Sequence, residues 1–313
     1  MTSVHTVRPT DLVALVSYDG RVYPNEAVTR DRAGSEGSPH PLEAALEQWL
    51  SFATGRHTWI SVRGATLRGL ASARKRGSRA AWELDCLIDA ADDDSGVLMS
   101  LLDQVAADAG RAGAEKVFLR VAAGSPAIEV ACRSGFAGYL AETLFAGRGA
   151  RGPAGEGLRR GGRADAYPTF RLYNTWAPER VRRAEGATFR EWQASREALA
   201  QGRGTRQFVI ENDGRIAGWL RIATPGEVGR FDLMADPAAP ELLDSLLDAA
   251  LSRLAGQSVA YTLVPEFAPG LGERLERRGF EARGEFVVLA RRTSRPVAVP
   301  ELAAAAPVQS LLA

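Results

Sequence analysis

Glu83 and Asp85 are the carboxylates best placed to do chemistry in this 313-residue chain. They lie in the run Ala80 to Ile88, where Trp82, Leu84, Cys86 and Ile88 alternate with Glu83, Asp85 and Leu87. Period-two alternation reads as a strand with one apolar face, so both acids project from the other face. A carboxylate held there can accept a proton from a reacting group. The alternative is a solvent-facing acid on a half-exposed strand. Just downstream, Asp92-Asp93-Asp94-Ser95-Gly96 breaks the strand, and Val97, Leu98, Leu101, Leu102, Val105 and Ala109 form a helical stripe. Ser95 is a candidate N-cap, and the helix start presents free N–H groups to an anion; a plain turn is the alternative. His5, His40 and His57 have no partner at catalytic spacing and read as surface residues. Cys86 and Cys132 fall at apolar positions and read as buried, reduced thiols without metal spacing.

The surrounding elements repeat. In the first half, Thr6 to Asp11 is an expected strand and its end; Pro41 opens an expected helix over residues 42–50. Trp59 to Val62, Thr66 to Ala73 and Ala80 to Ile88 form a meander, and strand Lys116 to Val121 follows the Val97 helix. Ser125-Pro126 caps a helix that closes on Arg133-Ser134-Gly135-Phe136, and Gly138 to Phe145 is the last strand. Gly147 to Gly162 is rich in Gly and Arg; Arg159, Arg160 and Arg163 are possible phosphate contacts, but the composition fits a solvated tether better. In the second half, Phe170 to Tyr173 is an expected strand, and helices follow from Pro178 and Phe189. A hairpin turns on Asn212-Asp213-Gly214. Then come strand Gly229 to Met234, helix Pro240 to Leu254, strand Val259 to Val264, helix Leu271 to Arg278 and strand Phe286 to Ala290. The second helix–Gly-Phe ending, Arg277-Arg278-Gly279-Phe280, lies 280 − 136 = 144 positions after the first. This divides the chain into domain 1–147, linker 148–165, domain 166–293 and a loose tail 294–313.

Composition narrows the function. Hydrophobic residues make up 45% and charged residues 25%, as in soluble globular proteins. A net charge of +1 gives no electrostatic case for nucleic acid or an anionic membrane. No apolar run approaches the roughly 20 residues that span a bilayer. The start, Met1 to His5, lacks a basic segment followed by an apolar one, so no signal peptide is expected. A cytoplasmic protein is the expectation.

The element order, read twice as β-α-α-β-β-β-α-β-α-β with Gly-Phe after the last helix, resembles the GCN5-related N-acetyltransferase (GNAT) superfamily. The resemblance implies an α/β fold: two tandem domains, each a mixed, mostly antiparallel twisted sheet flanked by helices. It implies acetyl-CoA as acyl donor and the amine of a small molecule or peptide as acceptor, in a monomer or homodimer. Two neighbouring strands part, and the freed edge pairs with the pantetheine arm as an added strand would. On that pattern Leu87 and Ile88 supply the edge, and Ser95, Gly96, Val97 and Leu98 meet the cofactor at the helix start. Glu83 and Asp85 stand where the family often keeps a general base; Asp232 takes the place of Asp85 in the second half. Of the family's phosphate cradle the first half keeps Gly96. The second half has no glycine in Ala238 to Leu243 and places Pro240 there. The position of the family's frequent acid Tyr is Ala131 in one half and Leu275 in the other. The resemblance therefore supports an acyltransferase whose better cofactor site is the first half, or a non-catalytic tandem protein that binds another small ligand.

Overall fold

The computed structural model describes residues 3–8, 23–34, 56–64, 66–90, 95–152, 155, 157–200 and 204–294. The helix expected over 42–50, the aspartates 92–94 and the tail past residue 294 lie outside them. The first half runs β1 (Ser3–Thr6), β2 (Arg56–Arg63), β3 (Thr66–Lys75), β4 (Ala81–Asp89), α1 (Ser95–Arg111), β5 (Lys116–Ala122), α2 (Ala127–Arg133) and β6 (Ala137–Gly147). The second runs β7 (Leu158–Arg160), α3 (Ala166–Trp176), α4 (Glu179–Glu185), α5 (Phe189–Ser195), β8 (Arg206–Asn212), β9 (Arg215–Ala223), β10 (Val228–Ala235), α6 (Leu242–Arg253), β11 (Val259–Pro265), α7 (Pro269–Glu276) and β12 (Glu281–Arg292). These strands form one continuous sheet in the order β1-β2-β3-β4-β5-β12-β6-β11-β10-β9-β8-β7. Among the described residues, no helix is long and apolar enough to cross a membrane.

The sheet is joined by an exchange of strands. β12, the last strand of the second half, lies between β5 and β6 of the first and pairs antiparallel with both. In return β6 pairs with β11 of the second half, from Ala260↔Gly147 to Pro265↔Glu142. Each half thus completes its sheet with a strand from the other. The two Gly-Phe endings are one motif used twice. Gly135 and Gly279 have φ of 78° and 79°, which glycine adopts without strain. Phe136 N–H donates to Ala131 C=O and Phe280 N–H to Leu275 C=O, each at 3.0 Å, closing both helices in a Schellman turn. Ala131 and Phe136 are buried in one core, Leu275 and Phe280 in another. Asp213 and Gly214 form the expected two-residue hairpin, with φ of 51° and 72°.

Four expectations change. Phe170 to Tyr173 is helical, within α3, where Thr169, Phe170, Leu172 and Tyr173 are buried. Aromatic and β-branched residues favour strands on propensity, but packing along one helical face overrides it. The Gly/Arg-rich stretch contributes β7, which pairs with β8 from Leu158↔Ile210 to Arg160↔Phe208. β7 is therefore the opening strand of the second repeat. β4 is buried on both faces, so Glu83 and Asp85 are interior rather than solvent-facing. Cys86 is buried as expected, but Cys132 is exposed on α2.

Candidate functional site

The sheet opens in two places. β4 and β5 are parallel and paired only from Ala81↔Lys116 to Glu83↔Phe118. β10 and β11 are likewise paired only from Val228↔Val259 to Arg230↔Tyr261. Beyond those residues each pair parts, leaving two clefts in equivalent positions.

The first cleft is filled by the chain itself. Residues 23–34 run as a strap across it, and the Asn25 side chain acts as a surrogate peptide. Its Oδ1 accepts from Leu87 N–H at 2.8 Å, and its Nδ2 donates to Asp85 C=O at 3.1 Å. Glu26 N–H donates to Leu87 C=O, and Val28 N–H crosses to Arg120 C=O on β5, both at 2.9 Å. Ala27 is buried in the first core beside Leu84 and Leu87. Ser125 Oγ, ahead of α2, donates to Glu26 Oε2 at 2.6 Å. The strand edge expected to meet a pantetheine arm at Leu87 is thus already bonded. Ile88 is buried in a small cluster with Ile60 and Leu70. Val97 and Leu98 face the first core, while Ser95 and Gly96 form the first turn of α1.

Glu83 and Asp85 are fixed by guanidinium groups. Arg56 Nε donates to Asp85 Oδ2 at 2.8 Å. Asp85 also sits at a bulge, since Leu84 faces Ala73 and Cys86 faces Ser72; β10 has no such break beside Asp232. Glu83 meets Arg74 at 2.8 Å and Arg76 at 3.6 Å. From there an alternating seam of buried charges crosses the molecule. Asp31–Arg74–Glu83–Arg76–Glu197–Arg120–Glu142–Arg30–Asp232–Arg221 are successive ion pairs, from Asp31 in the strap to Arg221 on β9. Burial raises the Glu83 pKa above the ordinary carboxylate range, against the pull of Arg74 and Arg76. Burial would raise Glu197 too, but Arg120, Arg76 and Arg30 outweigh it and hold it well below that range. Arg30 and Arg221 do the same for Asp232.

The second cleft is open. Asp236 N–H bonds to Ala217 C=O at 2.7 Å, and Met234 pairs with Trp219 in the same ladder. Alternation along an antiparallel ladder then turns the backbone of Leu233 away from β9 and into the cleft. Here a cavity of about 130 Å³ lies among β10, β11 and the helices α3 to α5. Tyr173, Trp176, Trp192, Trp219 and Phe267 give it aromatic walls, and Arg30, Glu142, Glu197, Asp232 and Arg221 bring the seam to its surface. Two further charged side chains line it and belong to no ion pair among the described residues, Glu185 and Arg196. Glu185 accepts from Tyr173 Oη at 2.8 Å and from Tyr139 Oη at 3.2 Å. Burial raises its pKa, and Arg76 opposes that only in part. The Arg196 guanidinium lies 4.9 Å from the Trp192 ring centre and 5.6 Å from that of Trp219. Burial, with Arg221 nearby, lowers its pKa to about 10.

Of the acids named from the sequence, Asp232 reaches this cavity, whereas Glu83 and Asp85 do not line it. Glu185 and Arg196 carried no sequence signal. Glu185 ends the short charged helix Glu-Arg-Val-Arg-Arg-Ala-Glu, where alternate acids and bases read as a solvated face. Among the described residues no group of three His, Cys, Asp or Glu side chains is arranged to hold a metal ion.

No family model matches the sequence, and no curated protein does. Solved structures do match in fold. A GCN5-related N-acetyltransferase from Sphaerobacter thermophilus aligns with a TM-score of 0.52 at 14% identity, over 95% of this chain and 98% of its own. A tandem GNAT protein from the clavulanic acid biosynthesis pathway aligns with a TM-score of 0.51 at 14% identity, over 93% and 98%. A putative acetyltransferase from Pyrococcus horikoshii gives 0.51 at 13% identity, over 94% and 90%. At such identities the likeness speaks for architecture, and with both parted strand pairs and both Schellman endings in place, this chain has the tandem GCN5-related N-acetyltransferase fold.

Proposed function

We propose that the protein is a GNAT-like acyltransferase with one working cleft, the second, where the amine of a small acceptor receives an acyl group from acetyl-CoA. The observation that carries this reading is the parted β10–β11 pair standing over an aromatic cavity with a carboxylate in its wall. An ammonium must lose a proton before its nitrogen can attack. Glu185 is suited to take it: burial raises its pKa toward that of the amine, and the Tyr173 and Tyr139 hydroxyls hold its two oxygens in place.

Acetyl-CoA matches the cleft unevenly. The Leu233 edge suits an amide-bearing arm. The pyrophosphate end does not fit the start of α6. Pro237 and Pro240 have no N–H, Ala238 N–H is taken by the Asp236 carboxylate at 3.0 Å, and Ala239 N–H by the Asp236 carbonyl at 2.8 Å. The Asp236 and Glu241 carboxylates add like-charge repulsion. The donor is expected to bind weakly, through its arm. At five times Kd a ligand stabilises the native state by about 1 kcal/mol. For a chain of this length that raises Tm by about 1.5 °C, on an unfolding entropy of about 2.1 cal/mol/K per residue. No rise at millimolar acetyl-CoA, together with no acetylated product from a panel of amines by mass spectrometry, refutes transfer.

The second reading is a ligand-binding protein without turnover. It is supported by the blocked phosphate end and by Ala131 and Leu275, neither of which can give up a proton where the family often places a Tyr. It expects ligand binding in the second cleft with no product.

A further inference from the structure

We infer that Thr262 is a catalytic residue of the second cleft, its hydroxyl donating a hydrogen bond to the sulfur that leaves when acetyl-CoA gives up its acyl group. The inference deepens the reading of the second cleft as an acyl-transfer site and rests on it. It starts from where the strands part. β10 and β11 are last paired at Arg230↔Tyr261, so Thr262 is the first residue of β11 beyond the fork. Its backbone pairs on the other side with Phe145 of β6. Thr262 is 4% exposed and lines the cavity, and its hydroxyl has no partner among the described residues. The other two hydroxyls at the cavity wall are spent on Glu185: Tyr173 donates to its carboxylate and Ser195 to its carbonyl. A buried hydroxyl without a partner costs stability, and valine, of nearly the same shape, would avoid that cost.

Strand alternation fixes the side from which it acts. On β11, Ala260 and Val264 belong to the second core, beneath α6 and α7, and Thr262 shares their face. Tyr261 and Leu263 take the opposite face, against Val28 and Ala33 of the strap. On β10, Phe231 and Leu233 lie on the face of Ala260, and Asp232 lies on the other with Arg30. The cavity is lined by Asp232 from one face and by Leu233, Thr262 and Leu271 of α7 from the other, so it passes through the parted pair. Leu275, about one turn after Leu271, stands where the family often has its acid Tyr and is buried in the second core. Thr262 therefore offers an O–H on the side where α7 brings only Leu271 to the cavity. The first cleft has no counterpart. There the last pair is Glu83↔Phe118, and the next residue of β5 is Leu119, buried in the first core. The hydroxyl belongs to the open cleft and the leucine to the one that the strap fills.

An arm laid along the Leu233 edge, with its far end toward the start of α6, has its reacting end at the fork. With the ammonium proton on Glu185, the nitrogen lone pair forms the C–N bond, and the C–S bond breaks with its electron pair on sulfur. Thr262 Oγ1 donates a hydrogen bond to that charge. The surplus proton of the nitrogen then neutralises it, so an amide and a free thiol leave and the hydroxyl is unchanged. Hydrogen bonds to an ionised acceptor are about twice as strong as neutral ones. The neighbours on this face are apolar: Phe231, Leu233, Val264 and Leu271. The charged groups of the cavity, Arg30, Glu142, Glu185, Arg196, Glu197, Arg221 and Asp232, come from the other face, that of the strap and α3 to α5; α6 and α7 contribute none. An apolar surround opposes a thiolate, and the Thr262 O–H offsets it.

The test is calorimetric titration of the full chain with CoA and with acetyl-CoA at pH 7 and pH 9.5, no amine present. An ordinary thiol has a pKa of about 8.5, so CoA ionises across this range and acetyl-CoA does not. Titration of the protein's own groups acts on both ligands, and the ratio of the two affinities cancels it. A hydrogen bond worth about tenfold to the thiolate lowers the bound thiol's pKa by about one unit, and CoA then gains on acetyl-CoA by about sevenfold between the two pH values. Thr262→Val should abolish that gain while binding acetyl-CoA within about twofold of the parent, which shows that the cleft survives; Thr262→Ser should keep most of it. Where an amine is turned over, Thr262→Val should lower kcat about tenfold with KM for acetyl-CoA unchanged, and Thr262→Ser should restore it. No gain in the parent, or the same gain in Thr262→Val, overturns this inference alone. Binding of neither ligand overturns it together with acyl transfer. The full pH effect with no acetylated product from a panel of amines upholds the Thr262 contact and refutes transfer.

Discussion

Replacing Asn25 by Ala tests whether the strap truly seals the first cleft. The amide makes three bonds that Ala cannot: it accepts from Leu87 N–H at 2.8 Å and from Ala27 N–H at 3.0 Å, and it donates to Asp85 C=O at 3.1 Å. Leu87 and Ala27 are buried, with 0% and 3% exposure, so two donors lose their acceptor inside the protein. An unsatisfied buried group costs about 1–3 kcal/mol. Water can follow the vacated side chain and recover part of that, so the expected loss is about 2–4 kcal/mol. On the unfolding entropy used above, Tm falls by about 3–6 °C. Thermal and urea denaturation of parent and variant give the number, and a preserved m-value assigns it to the native state. The variant also exposes the Leu87 edge, so pantetheine should now restore stability that it does not add to the parent. A loss below about 0.5 kcal/mol would mean that the strap is not seated between β4 and β5, and the first cleft would then be open to ligands.

Two further outcomes follow from the seam. Arg30→Met removes the cation shared by Glu142, Glu197 and Asp232, yet each acid keeps another guanidinium. The expected cost is about 3 kcal/mol, the low end for a broken buried pair, and Asp232→Asn in the same chain should recover part of it; additive losses in a double-mutant cycle would contradict the seam. Stability should also peak at mildly acid pH. The raised pKa values of Glu83 and Glu185 mean that the native state takes up protons first, so stability grows as pH falls from neutral toward the ordinary carboxylate range. Glu197 and Asp232, held low, have the opposite sign: their contribution is present above that range and is lost as pH falls through their native values. Denaturant titrations from pH 8 to 3 read both limbs, and Glu185→Gln should shrink the rise. A monotonic fall from neutral pH would contradict the assignment.

Local signals explain what was readable in the sequence. Asp213-Gly214 fixed a hairpin because both residues must adopt positive φ. Gly135-Phe136 and Gly279-Phe280 marked two helix ends because a left-handed residue and a buried aromatic close a Schellman turn. The meanders declared themselves through alternation. Features that depend on distant partners stayed hidden. Arg159 in β7 is held by Asp165 at 2.6 Å and by Glu211, so a stretch composed like a tether is an edge strand. β12 reads as an ordinary last strand, and nothing in it names β5 as a neighbour 166 residues away (Val287↔Val121, 287 − 121 = 166). Of the second cleft the sequence showed only Asp232, as the counterpart of Asp85, and the better cofactor site was expected in the first half. Glu185 and Arg196 were not legible, since what sets them apart at the cavity wall is that neither forms a direct ion pair among the described residues, which no local pattern records.

The traded strands β6 and β12 have a consequence for how such a molecule can specialise. In a two-fold dimer of identical subunits, every residue placed in one groove is placed in its twin as well, so neither can be stoppered without stoppering both. Here the same shared seam of strands is made by a single polypeptide, and the twin grooves answer to different codons. Asn25 can stopper one while its counterpart keeps its cavity, and both still lean on one common sheet.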